Sequence, residues 1–363
     1  MHLISPRKVI KGKNAWLTAI PEILKISKNS LVLGRSPSTK SIRSNLINDL
    51  KSHNLKVVHA ELKYDCCEED IKRIYEIAKR HKCDSIIATG GGKVLDAGKL
   101  IADLLSIKSI TVPLSASTCA GWTALANIYS KNGQFVKDLN LKSCPELLIY
   151  DHTLISSAPL ETLTSGIADS LAKWYESSIT SSSNREGIVQ QAIQISRVLR
   201  DQLFIEGEKA YLNPNIENLS WINVIEANGL TAGLIGGIGG EKCRTAAAHA
   251  LHNSITQLSS KKINLHGEIV GVGILLQLRL EEYKNNNNLA DQSINQLVKF
   301  MKKLNLPTSI ADLGIDVFEN DNLQKISDFA CRKESEIHFL PFSINSDDIA
   351  QVISRFESQK III

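Results

Sequence analysis

The chain has 363 residues, a formal net charge of +4, 43% hydrophobic and 22% charged residues. That length leaves room for two domains with a substantial core, and the composition is that of an ordinary soluble globular protein. The small charge, with no basic run interleaved with aromatics, gives no footprint for nucleic acid, and no apolar run approaches the roughly 20 residues that span a bilayer.

The first residues, Met1-His2-Leu3-Ile4-Ser5-Pro6-Arg7-Lys8, lack the apolar stretch of a secretory signal, so a cytoplasmic protein is expected. Strands are expected at 31–33 and 56–60, helices over 41–53 and 68–81. The second helix carries Ile71, Ile74, Tyr75 and Ala78 on one face. Further strands are expected at 85–89, 109–112 and 146–150. This alternation predicts a parallel sheet with helices on both sides, a Rossmann-like α/β dinucleotide-binding domain over residues 1–157.

After Pro159 long amphipathic segments dominate and strand signals nearly vanish, so residues 158–363 are expected to form an all-α domain for metal and substrate. Residues 177–184 are expected as a serine-rich break between helices, and 285–288 as a solvent loop. Glycines 229, 233, 236, 237, 239 and 240 are expected to reflect simple helix crowding, with close helix packing or a hinge near the metal as the alternative. The seven cysteines, at 66, 67, 83, 119, 144, 243 and 331, form no CxxC pair, and free, mostly buried thiols are expected.

The most informative stretch is Gly90-Gly91-Gly92-Lys93-Val94-Leu95-Asp96-Ala97-Gly98-Lys99, between an apolar strand and an apolar helix. Glycines let backbone N–H groups approach a pyrophosphate, and the helix N-terminus adds positive potential. The stretch is neither GxGxxG nor a Walker A loop. A plain strand-to-helix turn would use the same glycines. Far downstream lie Asp169, His249, His252 and His266. One carboxylate with two or three imidazoles suits zinc or iron(II). His249 and His252, three apart, share a helix face. Spacing alone leaves open whether these distant segments meet.

Taken together, these segments resemble the iron-containing alcohol dehydrogenase and glycerol dehydrogenase superfamily. Gly90 to Lys99 fits its GGGKxxDxxK phosphate loop. The Val112-Pro113 pair leads to Ser117-Thr118, Asp169 follows Gly166 at its motif's spacing, and Ala248-His249 and His266-Gly267 match its histidine contexts. Ser117-Thr118-Cys119-Ala120-Gly121-Trp122-Thr123 and Leu171-Ala172-Lys173-Trp174-Tyr175-Glu176 resemble the branch with hydroxycarboxylate dehydrogenases. Where glycerol dehydrogenases carry an Asp that contacts the polyol, this chain has Cys119.

The resemblance implies a dehydroquinate synthase-like fold, a divalent metal (zinc or iron) on Asp169, His249 and His266, and NADP or NAD as cofactor. It implies cofactor contacts from Gly90, Gly91, Gly92, Lys93, Val94, Leu95 and Asp96. Around the nicotinamide it implies Leu114, Ser115, Ser117, Thr118, Thr123, Leu125 and Tyr129. Lys99 either serves that loop or is a solvated surface lysine. Arg35, after the first core strand, stands where NAD-dependent members can carry an acid, so NADP is expected unless Arg35 only faces solvent. His252 is expected to relay a proton or touch substrate, or else to be a packed histidine. Lys173 stands where some members have a fourth metal ligand. A protonated lysine cannot ligate, and it is expected to bind a substrate carboxylate or to pair on the helix surface. The expected substrate is a 2-hydroxy or 2-oxo acid, with glycerol as the alternative. A dehydroquinate-synthase-like lyase and a catalytically silent binding relative are the more distant ones. A homo-oligomer with no nucleic-acid or membrane partner is expected.

Overall fold

The computed structural model describes residues 2–258, 264–285 and 289–360. In chain order the first elements are β1 Lys8–Gly12, α1 Ala15–Ile26, β2 Asn29–Gly34, α2 Lys40–Ser52, β3 Lys56–Glu61, α3 Glu68–Arg80, β4 Ser85–Gly90 and α4 Gly92–Leu105. They are followed by β5 Lys108–Pro113, β6 Leu125–Tyr129, β7 Phe135–Asn140, β8 Leu147–Asp151 and α5 His152–Ile155. Helices then take over: α6 Leu160–Thr180, α7 Gly187–Leu212, α8 Leu219–Glu226, α9 Ala232–Gly239, α10 Ala247–Ile255 and α11 His266–Asn285. α12 Ala290–Lys303, α13 Asn322–Ala330 and α14 Ser346–Lys360 complete the described chain. No helix among the described residues is long and apolar enough to cross a membrane.

Six strands form one parallel sheet in the order β1-β8-β5-β4-β2-β3. The central strand β4 is buried at every position, as a parallel strand covered on both faces must be. The five expected strands of this sheet are all present. β1, and the separate antiparallel hairpin β6–β7, add to them. Edge strand β1 and hairpin strand β7 are mostly exposed or half-buried, so neither offers the continuous apolar run that marked the others. α3 begins on Glu68, Glu69 and Asp70 and ends on Lys79 and Arg80, which complements the helix dipole at both ends. α4 lies close on the sheet because Gly98 has no Cβ; one there would sit 2.5 Å from the Ala88 Cβ.

Two compact units result: residues 1–159 with 214–237, and residues 160–213 with 238–363. The first crossing lies two residues past the expected boundary at 157. The return of 214–237 to the first unit was not foreseen, and its glycines are the physical reason. A Cβ on Gly229 would lie 2.3 Å from the Tyr150 ring, on Gly233 2.5 Å from the Trp122 ring, and on Gly237 2.2 Å from the Ile4 carbonyl oxygen. Close packing is therefore what these three glycines do, within the sheet-containing unit.

In the second unit α6 runs into the expected serine break as far as Thr180. Ser177 and Thr180 donate their hydroxyls to the carbonyls of Lys173 and Glu176, which lets polar side chains stay in a buried helix. Leu251, Val272, Leu276, Ile326, Ile349 and Ile353 belong to one apolar cluster of this unit. Of the asparagine run, Asn285 closes α11, and 286–288 lie outside the described residues. All seven cysteines are free thiols, four of them buried.

Candidate active site

Asp169, Lys173 and Glu176 lie at positions i, i+4 and i+7 of α6, hence on one face, and all three are buried. α10 carries His249 and His252, and α11 begins at His266. The Nε2 atoms of His249 and His266 each stand 3.4 Å from Asp169 Oδ1. The three ligand atoms lie within 4.8 Å of one another, the one such His/Cys/Asp/Glu group among the described residues. Two ligands about 2.1 Å from a tetrahedral zinc are roughly 3.4 Å apart. The 3.4 Å separations are too long for good hydrogen bonds, and Asp169 Oδ1 is a buried oxygen with no hydrogen-bond partner. A buried carboxylate left unsatisfied between two imidazole nitrogens fits a cation.

Burial alone would raise the Asp169 carboxyl; the adjoining His249, His266 and Lys173 outweigh it and hold the group well below the usual carboxylate range. Burial likewise depresses the His249 imidazole, but Glu176 and Asp169 push it up to about 9. His252 goes the other way: burial, with His266 and His249 beside it, holds it well below the ordinary imidazole value.

His252 is placed behind His266. Its Nε2 is 2.9 Å from His266 Nδ1, and its own Nδ1 is 2.9 Å from Asn253 Oδ1. Since the Asn253 oxygen only accepts, the protons run Asn253 ← His252 ← His266, and His266 Nε2 is left to face Asp169. Lys173 is buried, not a surface residue, and its Nζ donates to the Arg244 carbonyl at 2.7 Å. Glu176, in the same segment, has no role assigned from the sequence. Its carboxylate meets His249 Nδ1 at 2.7 Å, and its place seven residues after Asp169 was the available signal.

The glycine motif lies in the first unit, at the C-terminal end of β4. Gly91 precedes the first turn of α4 with φ −80°, so the glycines are not there for a left-handed turn. A Cβ on Gly90 would crowd Val94 at 2.9 Å, and one on Gly92 would meet Thr118 Oγ1 at 3.0 Å. A Cβ on Gly91 would find only Ser115 Oγ, at 3.9 Å, and would fill the open space over the helix N-terminus. That cradle, with the first-turn N–H groups of α4, suits a pyrophosphate. Ser115 and Ser117 share a hydroxyl contact of 3.1 Å beside it.

Other motif residues, expected as cofactor contacts, turn their side chains inward. Val94 and Leu95 are buried, and their N–H groups donate to the Gly91 carbonyl. Asp96 is taken by Lys99 at 2.9 Å and by the Asn127 N–H at 3.1 Å. Lys99, far from being a surface residue, is buried and also donates to the carbonyls of Thr123 and Leu125. This ion pair therefore ties α4 to β6. Thr123 Oγ1 faces Lys99 at 3.3 Å, and the Leu114 side chain is buried in the apolar cluster under the sheet. Lys93 reaches Asp65 at 2.5 Å and lies 4.6 Å above the Tyr129 ring. Arg35 pairs with the other Asp65 oxygen at 2.7 Å while remaining partly exposed. Cys119 is half-buried in the loop after β5.

A glycine cradle on a parallel sheet that suits a pyrophosphate, and an Asp-His-His group on a helical unit that suits a cation, are what a metal-assisted nicotinamide oxidoreductase needs. The family model described as Iron-containing alcohol dehydrogenase matches residues 6–152. An uncharacterised oxidoreductase of Synechocystis sp. is 40% identical, over 98% of this chain and 92% of that protein. Hydroxycarboxylate dehydrogenase A of Escherichia coli is 30% identical, over 83% and 82% of the two chains. The crystal structure of a probable glycerol dehydrogenase from Sinorhizobium meliloti superposes with a TM-score of 0.87 at 27% identity, covering 99% of both. The chain belongs to the iron-containing alcohol dehydrogenase family. It is an oxidoreductase that uses a nicotinamide cofactor and a divalent metal.

Proposed function

We propose that the chain interconverts a small 2-hydroxy acid and its 2-oxo acid, with NADP(H) preferred over NAD(H). When bound, the cation supplies a Lewis acid toward the substrate oxygen and the nicotinamide supplies or accepts the hydride. On this reading Asp169, His249 and His266 hold the cation, zinc or iron(II) alike suiting them. Gly91, Gly92 and the first turn of α4 hold the pyrophosphate. Ser115, Ser117 and Thr118 offer hydroxyls to the nicotinamide end, and Leu125 and Tyr129 line it. His252 accepts the Nδ1 proton of His266 and donates to Asn253, which leaves His266 Nε2 unprotonated for the cation.

The observation that carries the substrate class is Lys173. It is a buried cation one helical turn from Asp169, close enough to act on that carboxylate's ionisation. A desolvated ammonium attracts a substrate carboxylate far more strongly than a neutral polyol. Cys119 stands where glycerol dehydrogenases carry a polyol-contacting Asp, so this chain lacks that carboxylate. The test compares kcat/KM for a small 2-oxo acid with that for the matching neutral ketone. Wild type is expected to favour the acid by at least about tenfold, and Lys173→Met to erase most of the difference while leaving bound metal intact. Efficient glycerol oxidation with no turnover of any 2-oxo acid would overturn the assignment.

Glycerol or another polyol is the second reading. One observation favours it: the Lys173 ammonium already donates to the Arg244 carbonyl, so part of its hydrogen-bonding capacity is engaged. For the cofactor, Arg35 supplies the cation for a 2′-phosphate, and no acid follows β2 to bind ribose hydroxyls. Asp65 is paired with both Arg35 and Lys93, so a phosphate can take Arg35 while Lys93 still neutralises Asp65. A clear preference for NADH that Arg35→Ala leaves unchanged would overturn the NADP reading.

A further inference from the structure

Glu176 is a carboxylate with no accessible surface, behind the triad and out of reach of solvent. Its Oε1 accepts the N–H of Ala246 at 2.7 Å and of His249 at 3.0 Å, at the start of α10. Its Oε2 meets His249 Nδ1 at 2.7 Å. An ionised carboxylate has no donor, so Nδ1 carries the proton in this contact. The other ring nitrogen, Nε2, is the one that faces Asp169 Oδ1.

We propose that Glu176 is a positioning residue that fixes His249 in the Nδ1–H tautomer, and so presents the Nε2 lone pair to the cation. The inference rests on the reading of Asp169, His249 and His266 as metal ligands. The same carboxylate also anchors the first turn of α10, so a loss on its removal could come from either role. The isosteric amide separates them. In Glu176→Gln the side-chain oxygen still accepts both backbone N–H groups, while the NH₂ group now points at Nδ1. Two donors cannot face each other, so the imidazole must move its proton to Nε2, where it cannot ligate. Turning the amide over would set its NH₂ against two backbone N–H groups, which is worse.

The experiment measures zinc affinity of the full-length protein by competition with a chromophoric chelator, and the visible absorption of the cobalt-substituted protein. Glu176→Gln is expected to keep the wild-type far-ultraviolet circular dichroism and to bind zinc about 10- to 100-fold more weakly, with an altered cobalt spectrum. Equal zinc affinity and an unchanged cobalt spectrum in a folded Glu176→Gln would overturn the inference. A measurement on wild type needs no variant: nitrogen-15 spectra of histidine-labelled, zinc-loaded protein should show His249 protonated at Nδ1 and ligated through Nε2. Ligation through Nδ1 would overturn the inference with the metal site intact. Failure of wild type to bind zinc or cobalt at all would overturn the metal-site reading itself, and this inference with it.

Discussion

Gly267 follows His266, the proposed ligand at the start of α11, and Gly267→Ala should disable the proposed metal site without replacing any of its three residues. A Cβ at this position would lie 1.8 Å from the backbone oxygen of Ser165, and the Gly267 N–H donates to Ser165 Oγ at 3.0 Å. Real Cβ contacts essentially never fall below 3.0 Å, and the obstacle is helix backbone, so α6 and α11 must part by at least about 1.2 Å here. Ser165 precedes Asp169 by one helical turn, so the displacement is passed to the 3.4 Å spacing between Asp169 and His266. Metal sites tolerate about 0.2 Å in ligand distance, several times less than the gap imposed. The expected result is at least a ~100-fold weaker zinc affinity with a parallel fall in kcat/KM. The overpacking itself costs about 1–3 kcal/mol of stability. Zinc competition, metal content after dialysis and thermal unfolding measure the three effects. Gly187→Ala is the control, since a Cβ there meets nothing within 4 Å and should leave zinc affinity and metal content unchanged without lowering the unfolding temperature. Wild-type metal content and turnover in Gly267→Ala would refute the reasoning.

Asp169→Ala should strip the metal and abolish turnover, as should prolonged chelation of wild type, and only the chelated wild type should recover on adding zinc or iron(II); retained metal in the variant would contradict the ligand assignment. Lys99→Met removes one partner of a buried ion pair and leaves Asp96 uncompensated. A loss of about 3–5 kcal/mol follows, a fall in Tm on the order of 10 °C, and the double change Lys99→Met with Asp96→Leu should regain part of it. Cys83 and Cys331 are each pushed up to about 11 by burial, with acidic neighbours adding to the effect. Folding therefore favours their neutral thiols, so alkylation at these two positions in the native protein, read by peptide mass, should be slow at pH 8 and rise about tenfold per unit until pH approaches 11. Rapid labelling at pH 8 would contradict that.

The sheet strands, the α/β-to-helical change of texture and the Asp-His-His set were legible in the sequence because each is written in local chemistry. Buried parallel strands need unbroken apolar runs, a phosphate turn needs glycines, and a borderline cation needs imidazoles and a carboxylate. Side-chain direction was not legible in the same way. Asp96 and Lys99 belong to the nucleotide motif, yet they turn on each other, because a charge buried under β6 must be paired. The return of 214–237 to the sheet-containing unit hangs on rings and a carbonyl up to more than two hundred residues away in the chain, which no window of sequence contains. Glu176 follows Asp169 by seven residues on α6, but only the approach of α10 to α6 brings its carboxylate against His249. Residue types and periods set which chemistry was available. Contacts between distant segments decided which of those groups gather at the candidate site, and which hold the others in place.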